Sequence, residues 1–251
     1  MAKQGGLGDN FYIAGYDLSG DVGSLSNIGG GITPIEVTGI DKSAQERIGG
    51  RRDGRMQFST FFNPSTDRSH LRLSALPTTD VIASYFRGTA LGGASANIVA
   101  KQINYDGNRD NAGAFTFTVE VQANGYGVEW GRSLTAGKRT DTGAANGTSV
   151  DFGTGSTAFG LQAYLHVFSF TGTDATIKLQ ESSDDGAGDA WADVTGGAFT
   201  QITAGPTSQR IATASGQTVE RYLRVVTVTT GGFSSLSFAV SVARNPVAVS
   251  F

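Results

Sequence analysis

Phe115-Thr116-Phe117-Thr118-Val119-Glu120-Val121-Gln122-Ala123 decides the class of fold. Apolar residues hold every odd position and polar residues the even ones, a period of two that buries one face of a strand and leaves the other polar. Glu120 and Gln122 therefore share a polar face, either a plain outer surface or a hydrated, acidic wall facing an internal channel. Similar patterning extends outward in both directions. Residues 80–87 and 94–105 read as strands parted by Gly88, Gly92 and Gly93, and residues 56–62 read as another. Residues 16–26 and 32–39 read as a hairpin turned by Gly29-Gly30-Gly31. A long loop over 40–55 then carries Arg47, Arg51, Arg52 and Arg55, as a solvated connection or as a contact arm for a neighbouring subunit or nucleic acid. One helix is expected, with cap residues in 63–67, Leu71, Ala75 and Leu76 on its apolar face, and Pro77 as its stop.

Residues 136–156 are rich in Thr, Gly, Ala, Asp and Asn and read as a boundary between two domains, 1–155 and 156–251. Beyond it, 161–171, 175–181, 199–202, 209–212, 221–229 and 236–244 read as short strands of a small antiparallel β-sandwich. Residues 161–170 are apolar on both faces and should be central. The expected class is mainly β: a barrel or sandwich with one short α-helix, followed by the second, smaller sandwich.

Composition separates building from chemistry. The 251 residues include 36 glycines, no cysteine and only two histidines. Glycine serves turns and close approaches, whereas most metal, acid-base and thiol chemistry draws on His and Cys. Net charge is −3, and Lys and Arg are not clustered as phosphate binding would require. The N-terminal segment has no apolar stretch that could serve as a leader, and Gly5, Gly6 and Gly8 suggest a flexible arm. No window approaches about 20 consecutive apolar residues, so no membrane span is expected.

The individual candidates for chemistry are weak. His70 and His166 have no Cys or second His beside them, so no metal site is expected. Residues 106–111 resemble half a calcium loop, but the twelfth position is Phe117 rather than a bidentate Glu, which leaves a turn. Asp184, Asp185, Asp189 and Asp193 surround Trp191 as a solvated loop or as an acidic-aromatic patch for calcium or a sugar. Residues 153–158 fit a loose dinucleotide pattern but lead into a β-rich segment where a helix N-terminus would be needed. No catalytic residue and no cofactor are assigned.

The order of several segments resembles the major tail tube proteins of long-tailed bacteriophages, particularly those of actinobacteria. The residues that carry it include Asp17-Leu18-Ser19-Gly20, Arg47-Ile48-Gly49-Gly50-Arg51-Arg52-Asp53-Gly54, Leu76-Pro77-Thr78-Thr79-Asp80 and Glu129-Trp130-Gly131. In the second half Phe159-Gly160-Leu161-Gln162-Ala163-Tyr164-Leu165 and Arg221-Tyr222-Leu223-Arg224-Val225 resemble the accessory sandwich that follows the tube domain. The resemblance implies homo-hexameric rings stacked into a hollow tube in the virion tail, assembled in the host cytoplasm and passed through by double-stranded DNA without specific binding. It also implies tape measure, tail terminator and distal tail proteins as partners. The arm over 1–16, with Phe11 and Tyr12, and the loop with Arg47, Arg51, Arg52 and Arg55 would make the contacts between subunits and rings. Glu120 and Gln122 would be candidates for the lumen. Two other readings of the composition are a carbohydrate-binding or adhesion protein using Trp191, and a capsid decoration protein.

Overall fold

The computed structural model describes residues 5–153 and 155–249. Residues 1–4 of the expected arm, Thr154 of the 153–158 run and the last two residues of the expected second domain lie outside the described residues. The chain is mainly β, with one short helix, a large antiparallel sheet and a smaller antiparallel one.

β1 (Asn10–Ile13), β2 (Tyr16–Asp17), β3 (Val22–Glu36) and β4 (Arg47–Phe61) precede the helix α1 (Ser69–Leu73). β5 (Val81–Phe86), β6 (Ala94–Gln102), β7 (Asp106–Arg109), β8 (Phe115–Ala123) and β9 (Glu129–Ser133) follow it. β8 pairs with β4 along one edge and with β7 and β6 along the other, and β5 and β1 continue beyond β6. Phe117, Val119 and Val121 point inward as their alternation predicts, although Phe115 stays exposed. The sheet curls until Phe11 of β1 meets Phe58 of β4, with ring centroids 4.5 Å apart. Met56, Ala83, Ile98 and Leu73 complete this first core.

The helix is shorter than expected and uses another face. Ser69 and Leu73 are buried, whereas Leu71 and Leu76 are exposed, because the chain leaves the helix at Ser74 and turns left-handed at Leu76. Its cap comes from outside: the Asp21 carboxylate accepts the Ser69 N–H at 3.0 Å and the Asn63 amide at 2.8 Å. That is the role an N-cap side chain plays.

The larger correction concerns the glycine run. Gly29, Gly30 and Gly31 do not turn the chain; they lie inside β3, fifteen residues long, which pairs with the fifteen-residue β4 from Val22↔Thr60 to Glu36↔Arg47. None of the three has a positive φ. Glycine is needed at Gly30 because a Cβ there would sit 2.3 Å from the Asp53 carbonyl oxygen. The true connection is residues 37–46, and most of the expected loop, including all four arginines, is strand. Pro34 sits at a register shift, where its missing N–H is tolerated. Gly30→Val should wedge the two strands apart. Trypsin should then cut at Arg47–Arg55 roughly tenfold faster, the effect of about 1.4 kcal/mol of local opening; an unchanged cleavage rate would refute the close approach.

The second half holds β10 (Arg139–Asp141), β11 (Ala145–Asn146), β12 (Val150–Asp151), β13 (Leu161–Gly172), β14 (Thr176–Ser182), β15 (Ala192–Ala198), β16 (Thr207–Ala212), β17 (Tyr222–Val228) and β18 (Phe233–Arg244). β13 lies between β16 and β18, buried on both faces through Val167 as its composition predicts. Leu161, Leu165, Val240 and Val242 pack across a sandwich against Ile177, Leu179, Leu223 and Val225 of the small sheet β15-β14-β17. The strand expected over 199–202 is instead a loop that seats Phe199 and Ile202 in this core, and the strand itself is β15. Gly196 and Gly197 had obscured that strand's pattern.

The stretch expected as a boundary is itself structured. β10 pairs with β18, and β11 and β12 pair with β17, so residues 139–151 belong to the second half's sheets. β9 is the corner, pairing with β6 on one side and with β18 on the other at Ser133↔Ser241 and Arg132↔Val242. The large sheet therefore runs through the expected division at residue 155. Among the described residues no helix is long and apolar enough to cross a membrane.

Candidate assembly surface

β4 pairs with β8 only from Arg55 to Phe61, so beyond Arg55 the β3–β4 hairpin continues as a two-stranded ribbon of residues 30–54. Two strands alone are marginal in water. The ribbon is nevertheless apolar at its surface: Ile35 and Ile48 are directly opposite each other at 48% and 54% exposure, with Ile32, Val37 and Ile40 also exposed. Arg47, Arg51, Arg52 and Arg55 are all exposed along the same strand. Arg51 and Arg52 line one side of a groove of about 680 Å³, completed by Ile32, Tyr126 and Val247. The structure thus gathers the four arginines on one projecting element, in strand rather than loop.

Two of the expected contact residues are not on the surface. Phe11 and Tyr12 lie in β1 at 2% and 1% exposure. Phe11 fills the first core, and Tyr12 packs against Phe86 and Phe168. The arm is fastened just before them, where Asp9 accepts from Arg87 Nη1 at 2.6 Å, from the Gly88 N–H at 3.0 Å and from the Tyr85 hydroxyl. Burial, with the Asp9 carboxylate as the second cause, pushes the Tyr85 phenol up to about 12. Gly5 to Gly8 precede that tether on the surface, Leu7 fully exposed.

Sequence reasoning missed the neighbouring groove. It measures about 490 Å³, runs beside the β3 stretch Val22–Ile28 and is lined by Phe11, Leu25, Ile28, Tyr85 and Trp130. Among the described residues β3 pairs with β4 alone, so its outer edge offers unpaired backbone groups to an added strand. Trp130 stands 57% exposed on its rim. The Glu129-Trp130-Gly131 stretch was visible in the sequence, but its strand is too short to show periodicity.

Glu120 and Gln122 lie on the face of β8 turned away from the first core. Gln57 is opposite Glu120, while Gln122 has Arg55 on one side and Lys101 on the other. Lys101 is itself paired with Asp80 at 2.8 Å. The expected acidic wall is thus a polar face of mixed charge.

The remaining candidates are absorbed by local structure. Residues 106–109 form β7, and the turn falls later, where Asp110 accepts the Ala114 N–H. His70 sits 3.1 Å from the Tyr105 hydroxyl, and His166 is fully buried between Gly15 and Ser84. Around Trp191, the Asp184 carboxylate accepts the N–H groups of Asp189, Gly188 and Ala187, which hold it below the usual carboxylate range. Arg224 lies over the Trp191 ring at 4.3 Å. Among the described residues no cluster of His, Cys, Asp or Glu is arranged to hold a metal ion.

No protein-family model matches the sequence, and no curated protein matches it either. In structure the chain is similar to proteins of phage tails and gene transfer agents. A chain from the virion of a native gene transfer agent particle matches over 51% of this chain and 98% of its own, at 12% identity and a TM-score of 0.41. A chain from the tail of an empty gene transfer agent particle with C6 symmetry matches over 50% and 96%, at 14% identity and a TM-score of 0.38. The Dit protein of SPP1, described as a paradigm of the hub adsorption apparatus in phages infecting Gram-positive hosts, matches over 93% and 98%, at 13% identity and a TM-score of 0.34.

Proposed function

We propose that this chain is a structural subunit of a bacteriophage tail, one copy of a hexameric ring that stacks on further rings into a tube for DNA. The observation that carries the reading is the ribbon of residues 30–54, which exposes isoleucines and arginines at the far end of a hairpin that only neighbouring copies would cover. The order of the sequence segments supports it independently. In this reading the free edge of β3 and its groove receive a neighbour in the ring, and the ribbon reaches the next ring. The mixed, polar face of Arg55, Gln57, Glu120 and Gln122 suits a bore, since alternating charge gives phosphates no continuous basic strip to hold. The strands up to β9 would build the wall, and β10 to β18 the accessory sandwich joined to it through β9 and β18. Tape measure, tail terminator and distal tail proteins are the partners such a ring would meet.

Electron microscopy of the purified chain, and of tails labelled on the second half, tests this. Hollow tubes and label along tails are expected. A strict monomer together with unlabelled tails would end the reading, and label confined to heads would favour a decoration protein.

Arg51→Glu combined with Arg52→Glu should lower the yield of sedimentable tubes at least roughly tenfold, a typical effect of reversing charges at a contact. The monomer's melting temperature should stay within about 2 °C, because exposed substitutions usually cost under about 0.5 kcal/mol. Normal tubes from this variant would remove the arginines from the contact.

A further inference from the structure

Exposed apolar side chains are not scattered over this protein. Of the fifteen large hydrophobic residues exposed among the described ones, five (Ile32, Ile35, Val37, Ile40 and Ile48) belong to the ribbon and four (Phe61, Phe62, Leu71 and Phe115) lie at the other end of β4. A fifteen-residue strand spans about 50 Å, so the two groups lie far apart on one axis.

The second group is built around packed rings. Phe62 has its ring centroid 4.5 Å from His70 and 5.2 Å from Phe115, and Tyr105 stacks on Phe117 at 4.0 Å. The His70 Nδ1 lies 3.1 Å from the Tyr105 hydroxyl, which ties helix α1 to the segment before β7. Such a cluster needs little ordering to bind, because its side chains already hold one another.

We infer that this aromatic end of β4 is the receiving surface for the ribbon tip of a second copy of the chain. The inference deepens the tube reading and rests on it for the presence of stacked copies. Tip-to-tip pairing would cover the isoleucines and leave the rings in water, whereas head-to-tail pairing covers both groups with one repeated contact and propagates along the strand axis. Charge does not direct the contact: residues 30–54 hold Lys42, Arg47, Arg51 and Arg52 against Glu36, Asp41, Glu46 and Asp53, a net of zero, so the pairing rests on the apolar side chains at the two ends. Residues 30–54 also match the roughly 20–30 residues that each side of a specific interface contributes.

Because the chain has no cysteine, introduced thiols report without background. Ile48→Cys and Phe115→Cys proteins are mixed under tube-forming conditions, treated with a short bis-maleimide and read by gel and electron microscopy together. Both positions are exposed, and melting curves check that each variant is folded. Cross-linked dimers from the mixture, absent from either variant alone, are the expected result, and the Ile48→Cys/Phe115→Cys double variant should give a ladder of multimers. Tubes in which the Ile48→Cys thiol couples only to itself, to Trp130→Cys or to nothing would overturn the receiving surface and leave the tube reading standing. Absence of both tubes and cross-links would overturn the two together. As a second measure, Phe62→Glu should raise the concentration needed for tubes roughly tenfold, and an unchanged value would count against the rings.

Discussion

Arg210→Met is expected to lower the stability of the folded chain by about 3–5 kcal/mol, the usual cost of stranding one member of a buried ion pair. Arg210 reaches from β16 to Glu129 of β9, with Nη2 2.8 Å from Oε1 and Nε 3.2 Å from Oε2. The two side chains are only 9% and 4% exposed. The Tyr164 hydroxyl donates to the same carboxylate, and the guanidinium lies 3.8 Å over the Tyr126 ring. Removing the cation therefore leaves a carboxylate in a site with little water to solvate it. For a chain of this size the loss corresponds to a drop in melting temperature of roughly 6–20 °C. Adding Glu129→Gln removes the stranded charge and should return much of the loss. Equal melting of Arg210→Met and the parent protein would show that the contact between the halves does not depend on this pair.

The second large effect concerns pH and His166. The Gly15 N–H donates to Nδ1 at 3.3 Å, which places the ring proton on Nε2, 2.9 Å from Ser84 Oγ. Tyr12 and Phe168 are its aromatic neighbours. Burial pushes the imidazole from its ordinary 6.5 down to about 3. A lowered value for a base means that the unfolded chain takes up the proton first. Between pH 6.5 and 3 the unfolded state then binds more protons, so stability rises with pH across that window, is fully present above it and is lost on acidification. The slope is about 1.4 kcal/mol per pH unit from this residue. Urea unfolding at pH 7.5, 6, 5 and 4, compared with His166→Gln, isolates it from the carboxylates. Identical slopes in the two proteins would remove His166 as the cause.

Both effects lie where the halves meet, and that meeting was poorly legible in the sequence. Alternation in 115–123 and the doubly apolar 161–170 revealed the central strands, because each satisfies a simple rule about which faces are buried. The corner strand β9 follows no such rule. It is five residues long, has Trp130 outward, and needs Gly131 because a Cβ there would lie 2.3 Å from the Val242 carbonyl oxygen. The same ambiguity of glycine hid the ribbon. A run of three reads as a turn when only local conformation is considered, but here the missing side chain serves an approach between strands distant in sequence. Of the proposed assembly surface, the four arginines were visible by composition, and the exposed isoleucines were not, since nothing in a short apolar pattern states whether it is buried or exposed. Phe11 and Tyr12 show the converse: aromatic residues beside a glycine-rich arm resemble a contact and turn out to be core.

The pairing of β4 with β8 has a mechanical consequence. Its seven rungs, from Arg55↔Gln122 to Phe61↔Thr116, lie side by side along the strand axis. A pull on the ribbon tip along that axis loads them in shear, all at once, instead of peeling them one after another. A filament of such units would yield first at the joints between copies, and each copy would come out of bending or stretching with its sheet intact.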